Sequence, residues 1–160
     1  LVVDGTSIAQ TGGIARFCGK LSGLYPTDDH LKAAQIDQFI DFATDLNTMV
    51  SSTNRIQDED QKLATRLELA NGPLKRKLGM LERLIQEGSD WIVPTSISIA
   101  DIAIWRVLGW FTSGLLDGMP KNLLSDFPKI RHACLAVDKH PKVQEWIGRT
   151  YPENYVRGTY

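Results

Sequence analysis

The sequence predicts a mainly α-helical protein in which a β-hairpin and one helix precede an all-α domain. Near the amino end, Asp4-Gly5 stands between two short runs of β-favouring residues, and this pair is typical of a tight hairpin turn. In the rest of the chain, apolar residues recur at helical spacing over stretches that glycine and proline separate. One hairpin followed by several helices is therefore the architecture that we expect.

The first two helices are defined by apolar spacing and by the residues at their ends. Residues 11–21 hold apolar side chains at helical spacing, and Gly23 ends that helix. A longer helix is predicted from a cap at Thr27 or Asp28 to about Val50. Its apolar residues form one stripe: Ile36, Phe39, Ile40, Ala43 and Leu46.

A further helical region begins near Asp58 and is interrupted by Asn71-Gly72-Pro73. Proline lacks the backbone N–H and its ring clashes with the preceding turn, so we predict a kink or a break there. Two short helices are predicted near the carboxyl end, over residues 127–138 and 141–149. The second begins with proline, which is favoured at the first helical position.

The clearest helix start in the chain is at Ser98. Ser98 and Asp101 have the spacing of a capping box, in which each side chain accepts a hydrogen bond from the backbone N–H of the other residue. The helix that follows, to about Leu116, is apolar on most sides, so we expect it to be central and buried. A Ser–Asp pair with no histidine placed as a base between them predicts structural capping rather than catalysis.

These elements divide the chain into four parts. Residues 1–23 hold the hairpin and the first helix, and residues 24–27 form a linker. Residues 28–150 form the all-α domain of about five helices, and residues 151–160 are a tail.

Composition excludes several classes of protein. The net charge of −1 gives no general attraction to nucleic acid. No run of apolar residues is long enough to span a membrane, and no signal peptide is recognisable. The two cysteines, Cys18 and Cys134, are far apart and lack metal-ligand spacing. We therefore expect a cytoplasmic protein with reduced thiols, without a nucleic-acid partner or membrane segment; a targeting peptide before residue 1 stays open.

The start of the first helix predicts an anion site. Its first turn contains Gln10-Thr11-Gly12-Gly13, and the unpaired N–H groups and positive dipole end of a helix start suit a carboxylate or a phosphate. A plain helix cap is the alternative interpretation of Gln10 and Thr11.

The order of elements and several motifs resemble the cytosolic glutathione transferases, and most closely their sigma, alpha, mu and pi branch. The matching motifs are Gln10-Thr11 before Ile14-Ala15-Arg16-Phe17, Ile36-Asp37, the Ser98–Asp101 box, and Phe127-Pro128 with Pro141-Lys142-Val143. The resemblance implies that residues 1–23 are the last β-hairpin and helix of a thioredoxin-like domain. It also implies that the chain is truncated at its amino end.

The resemblance further implies which residues bind the cosubstrate. Gln10 and Thr11 would hold the γ-glutamyl end of glutathione, and Asp37 would reach its amine in the other subunit of a homodimer. The intact protein would conjugate the glutathione thiolate to small hydrophobic electrophiles, a detoxification reaction. The family's catalytic residue lies before the position of Leu1, so we assign no catalytic residue here and expect the 160 residues themselves to be inactive.

Two further assignments complete the predicted site. Phe42, Trp105 and Trp110 are candidates for the wall of the electrophile pocket, and we assign Phe42 and Trp105 to it, although aromatic residues at helical spacing usually pack in a core. Asp37, Asp41 and Asp45 share one helix face. Some sigma-type enzymes bind a divalent cation there, but a solvated stripe is the commoner arrangement, so we expect no metal.

Two non-catalytic alternatives share this fold. One is a glutathione-transferase-like protein interaction module, as in translation elongation factor gamma subunits or synthetase complexes. The other is a carrier that binds glutathione without conjugating it. The residues that precede Leu1 would separate the first alternative from an enzyme, and conjugation assays would separate the second.

Overall fold

The chain begins with the predicted hairpin. The computed structural model describes residues 1–160 and pairs strand β1 (Val2–Val3) with strand β2 (Thr6–Ser7) in antiparallel register. Asp4 and Gly5 connect the strands with φ values of 48° and 77°. Positive φ at both central residues matches the twist of a hairpin, and Asp-Gly is one of the few pairs that adopt it readily.

Seven helices follow the hairpin, which confirms the predicted fold class. They are α1 (Thr11–Ser22), α2 (His30–Ser51), α3 (Glu59–Asn71), α4 (Pro73–Leu84), α5 (Ile99–Thr112), α6 (Pro128–Lys139) and α7 (Pro141–Thr150). A short 3-10 turn, Ser52–Arg55, extends the end of α2. The region after the first helix thus has six helices rather than about five, because the chain breaks at Gly72 and Pro73 into α3 and α4.

Two helix ends differ from their predicted positions. Asp29, not Thr27 or Asp28, caps α2, and its Oδ1 accepts a hydrogen bond of 2.9 Å from the N–H of Lys32. Helix α5 ends at Thr112, four residues before the predicted Leu116. Gly114 lies just beyond that end with a φ of 82°, a left-handed conformation that takes the chain out of the helix.

Helices α2 and α5 form the centre of the molecule. The predicted apolar stripe of α2 is buried along its whole length, and ten of the fourteen residues of α5 are buried. Helix α5 begins with a capping box. The Asp101 carboxylate accepts hydrogen bonds from the N–H of Ser98 at 2.8 Å and of Ile92 at 2.7 Å, and so joins the connector before α5 to its first turn. None of the helices is both long and apolar enough to cross a bilayer.

Residues 151–160 pack against α5 instead of leaving the domain. The Tyr160 hydroxyl donates to the Trp105 carbonyl at 3.0 Å, and the Thr159 N–H donates to the Thr112 Oγ1 at 3.0 Å. Arg157 pairs with Asp138 of α6. Burial raises the pKa of the Tyr160 phenol, so its hydroxyl stays protonated and able to donate.

A buried arginine, Arg66, joins α3 to the 3-10 turn after α2 and to the loop after α5. Arg66 is 6% exposed, and its guanidinium donates to the Thr53 Oγ1 at 3.0 Å, the Asn54 Oδ1 at 2.8 Å and the Asp117 carbonyl at 2.9 Å. All three acceptors are uncharged. Arg66 therefore acts as a hydrogen-bonding centre rather than as half of an ion pair.

Candidate functional site

Gln10 has an unusual backbone at the start of α1. Its φ is 69° and its ψ 129°, outside the conformations that residues with a Cβ atom favour, and its side chain makes no capping hydrogen bond. Thr11 is the first residue of α1, and both side chains are exposed. The start of α1 thus follows a strained residue, and no side chain of these 160 residues caps it.

A cavity of about 460 Å³ lies where α1 meets α2 and α5. This volume is within the ordinary range of small-molecule sites, about 300–1,000 Å³. The amino end of α1 supplies one wall, the second half of α2 another and the middle of α5 the third. The lining residues are Gln10, Thr11, Gly12, Ala15, Ile40, Ala43, Thr44, Asn47, Ala103, Arg106, Val107 and Trp110.

Neither Phe42 nor Trp105 lines this cavity. Trp105 lies on another face of α5, is 9% exposed, and donates from its Nε1 to the Asp138 Oδ1 of α6 at 3.2 Å. The ring of Phe42 lies under the Lys77 ammonium, 5.4 Å from it. Trp110, nearer the carboxyl end of α5, is the tryptophan that lines the cavity.

Asp37 lies outside the cavity lining, in an ion cluster between α1 and α2. Its Oδ1 accepts from the Arg16 Nε at 2.6 Å, and its Oδ2 accepts from the Tyr25 hydroxyl at 3.0 Å. The Arg16 Nη2 also reaches Asp41 at 3.0 Å. These contacts, led by the hydrogen bond to Asp37, raise the pKa of Arg16 above its ordinary value.

Gly12 makes room for this cluster. A Cβ atom at position 12 would lie 2.9 Å from the Arg16 Nη1, so a larger residue would have to displace the guanidinium. The guanidinium ends a flexible side chain and could move, but the move would disturb its contacts with Asp37 and Asp41. The third acidic residue of the α2 face, Asp45, pairs with Lys77 at 3.1 Å.

The two cysteines differ in their surroundings. Cys18 is exposed on α1, whereas Cys134 is buried in α6. Burial, with the nearby charges of Asp101 and Asp138, raises the pKa of the Cys134 thiol far above its usual range. Cys134 is thus a core thiol with no nucleophilic character.

The site as a whole can bind a ligand with one polar end. Unpaired N–H groups at the start of α1 suit a carboxylate, and the amide of Gln10 and the hydroxyl of Thr11 add hydrogen-bonding groups beside them. The remaining walls are largely apolar, with Ile40, Val107 and Trp110 as their larger side chains. The cavity can therefore contact both the carboxylate of a ligand, at the start of α1, and an apolar group beside it, at the remaining walls.

Comparison with known proteins identifies the family. The family model described as "Glutathione S-transferase, C-terminal domain" matches residues 44–149. This chain belongs to the glutathione S-transferase family. It is 27% identical over 151 residues to glutathione S-transferase 1 of Ascaris suum, a match that covers 92% of this chain and 70% of that protein.

This chain is also similar to a second curated relative and, in fold, to a solved structure. Glutathione S-transferase P 10 of Caenorhabditis elegans is 29% identical over 148 residues, and the match covers 92% of this chain and 65% of that protein. The solved structure of prostaglandin synthase D of Nilaparvata lugens superposes with a TM-score of 0.77 at 24% identity, over 94% of this chain and 72% of that one. The match to the Caenorhabditis elegans protein thus covers less than two thirds of that protein's length.

Proposed function

We propose that this protein is a glutathione transferase, which holds glutathione at Gln10 and Thr11 and conjugates its thiolate to small hydrophobic electrophiles. The names of the curated relatives support the activity, and the cavity supports the binding of a ligand with polar and apolar parts. The same proposal includes a homodimer in the cytoplasm with a role in detoxification. We assign no residue of the chain to activation of the thiol.

The observation that carries the proposal is the strained, uncapped start of α1 beside the cavity. A residue other than glycine at positive φ costs roughly 1–3 kcal/mol, and such strain is concentrated at ligand sites. Here Gln10 has a positive φ, and the first N–H groups of α1 have no side-chain cap. The γ-glutamyl carboxylate of glutathione is a suitable acceptor for them, with the Thr11 hydroxyl as a further donor.

Asp37 has a different place in the proposal. Both of its carboxylate oxygens accept hydrogen bonds within the chain, from Arg16 and Tyr25. A carboxylate oxygen accepts more than one hydrogen bond, so Asp37 retains the capacity to accept one from the glutathione amine of a partner subunit. We propose that contact as the contribution of the homodimer to the site.

The binding site is tested by isothermal titration of the protein with glutathione. We expect Thr11→Ala and Gln10→Ala each to weaken binding about tenfold, since each removes a hydrogen bond to a charged end of the ligand. Thr48→Ala and Gln38→Ala are matched controls, because both residues are exposed on α2 and do not line the cavity. Equal affinities for the wild type and both site variants would contradict the assignment.

A second titration tests which end of glutathione is held. We expect γ-glutamylcysteine to compete with glutathione and cysteinylglycine to fail, because the γ-glutamyl carboxylate and amine are the groups assigned to Gln10, Thr11 and Asp37. The reverse preference would exclude this orientation. Glutathione binding without any conjugation by the intact protein would favour the non-catalytic carrier.

A further inference from the structure

The cavity contains a single ionisable side chain. Of the twelve lining residues, six are hydrophobic, five are glycine or uncharged polar residues, and one is Arg106 of α5. Arg106 lies next to Val107 in the chain and about one helical turn before Trp110. Arg106 is exposed, and its positive charge borders an apolar wall at the rim of the cavity.

Arg106 has no hydrogen-bond or ion-pair partner among residues 1–160. Its guanidinium forms none of the hydrogen bonds or ion pairs of the structure, whereas Arg16, Arg66 and Arg157 are each bound to other groups. Other unpaired arginines, such as Arg83, are on surfaces away from the cavity. Arg106 is thus the free cation of the site.

The lining of the cavity contains no acidic residue. The opposite wall, from α2, contributes the neutral polar residues Thr44 and Asn47. From the tail, the phenol of Tyr155 lies near Arg106; burial raises the pKa of this phenol, and the charge of Arg106 opposes that rise. The cavity therefore combines apolar walls with one unneutralised positive charge.

We propose that the second substrate of this protein is an apolar molecule that carries a carboxylate, and that Arg106 binds this carboxylate. The inference rests on the proposed function, because it names the substrate class that would be conjugated to glutathione. The apolar body would lie against Val107 and Trp110, and the guanidinium would form charge-assisted hydrogen bonds with the carboxylate at the rim. Arg106 is then a specificity-determining residue.

Glutathione also carries carboxylates, so the experiment must separate the two sources. We would measure the binding of dodecanoate, of dodecanol as its uncharged counterpart, and of glutathione to the same preparations. Trp110 lines the cavity, so quenching of tryptophan fluorescence reports on binding of all three ligands. None of these measurements requires turnover.

Arg106→Gln removes the charge and keeps a polar side chain of similar reach. We expect it to weaken dodecanoate binding roughly tenfold, and to change dodecanol and glutathione binding less than about twofold. Arg106→Lys keeps the charge and should retain most of the preference for dodecanoate over dodecanol. Arg83→Gln is the matched control for loss of an exposed arginine, and helical content by circular dichroism shows that each variant is folded.

Three results would overturn the inference. In the first, the wild type and Arg106→Gln bind dodecanoate with equal affinity. In the second, Arg106→Gln weakens the binding of dodecanol as much as that of dodecanoate. In the third, Arg106→Gln weakens the binding of glutathione and leaves that of dodecanoate unchanged. The last result would assign Arg106 to a carboxylate of glutathione. Failure of the proposed function is a distinct outcome, since glutathione would then fail to bind the wild type while the preference for dodecanoate persisted.

Discussion

Gly109 of α5 and Gly158 of the tail meet backbone to backbone. A Cβ atom at Gly158 would lie 2.8 Å from both the Gly109 carbonyl oxygen and the Thr112 Oγ1, closer than Cβ atoms in proteins approach such groups. The nearest atoms belong to the backbone of a buried helix, which cannot move aside as a flexible side chain could. The contact therefore requires glycine at position 158.

Gly158→Ala should release the tail from α5. We expect a loss of about 1–3 kcal/mol in the free energy of unfolding, as is typical when an extra methyl group is forced into a packed site. Urea denaturation monitored by circular dichroism measures it. Gly148→Ala is the control: it lies in α7 with no atom within 4 Å of the added Cβ, so it should be neutral or slightly stabilising. Equal effects of both substitutions would contradict the packing argument.

Two substitutions at Gln10 can separate the effect of backbone strain from the effect of the side chain's contact with the ligand. Gln10→Ala keeps the Cβ atom and its strain, whereas Gln10→Gly removes both. We expect the glycine variant to be about 1 kcal/mol more stable than the alanine variant, although both lose the amide and bind glutathione more weakly. Thermal unfolding and titration of the same preparations provide the two readouts. A glycine variant that is less stable than the alanine variant would show that φ at this position is not strained.

Arg66 should tolerate no replacement, even by lysine. Lysine cannot reach the Thr53, Asn54 and Asp117 oxygens with one planar group. Arg66→Lys therefore leaves at least one of these acceptors without its donor, and the Thr53 hydroxyl among them is buried. We expect a destabilisation of about 2 kcal/mol or more, measured by urea denaturation. Arg76→Lys, at an exposed position on α4, should change stability by less than about 0.5 kcal/mol. A similarly small effect at Arg66 would argue against its role as a hydrogen-bonding centre.

Thiol labelling should distinguish the two cysteines. A water-soluble disulfide reagent such as dithiobis-nitrobenzoate should modify one thiol of the native protein at neutral pH and two in denaturant. The native reaction is expected at Cys18, since Cys134 is buried and its pKa is raised. Cys18→Ser should abolish the native reaction. Labelling of both thiols in the native protein would show that α6 opens to solvent.

The sequence could predict the elements whose signals are local. The stripe of α2 is buried as its helical period predicts, and the break between α3 and α4 occurs where Gly72 and Pro73 interrupt the pattern. The start of α5 is likewise encoded by two residues, Ser98 and Asp101, that lie about one turn apart. Such features depend on neighbours in the chain, so spacing is sufficient to find them.

The rest depends on contacts between distant residues. On a helix that is apolar on most sides, spacing does not indicate which face meets which partner. For this reason the sequence offered both Trp105 and Trp110 for the pocket and could not choose between them; the assignment went to Trp105, whereas Trp110 lines the cavity. Periodicity also gives no sign of Arg106, or of Arg66 with an acceptor fifty-one residues away. The helix start itself indicated an anion site at Gln10-Thr11, and the family resemblance supplied its expected ligand, but the backbone strain at Gln10 became visible only in the backbone angles.

Helix α5 contacts the cavity with one set of residues and the tail with another. Ala103, Arg106, Val107 and Trp110 face the cavity, while Trp105, Gly109 and Thr112 receive the tail. Each residue turns an α-helix by about 100°. A single inserted residue in the middle of α5 would therefore rotate one set of side chains away from its neighbour, whatever amino acid was added. The length of this helix, as much as its composition, is a constraint on how the gene can change.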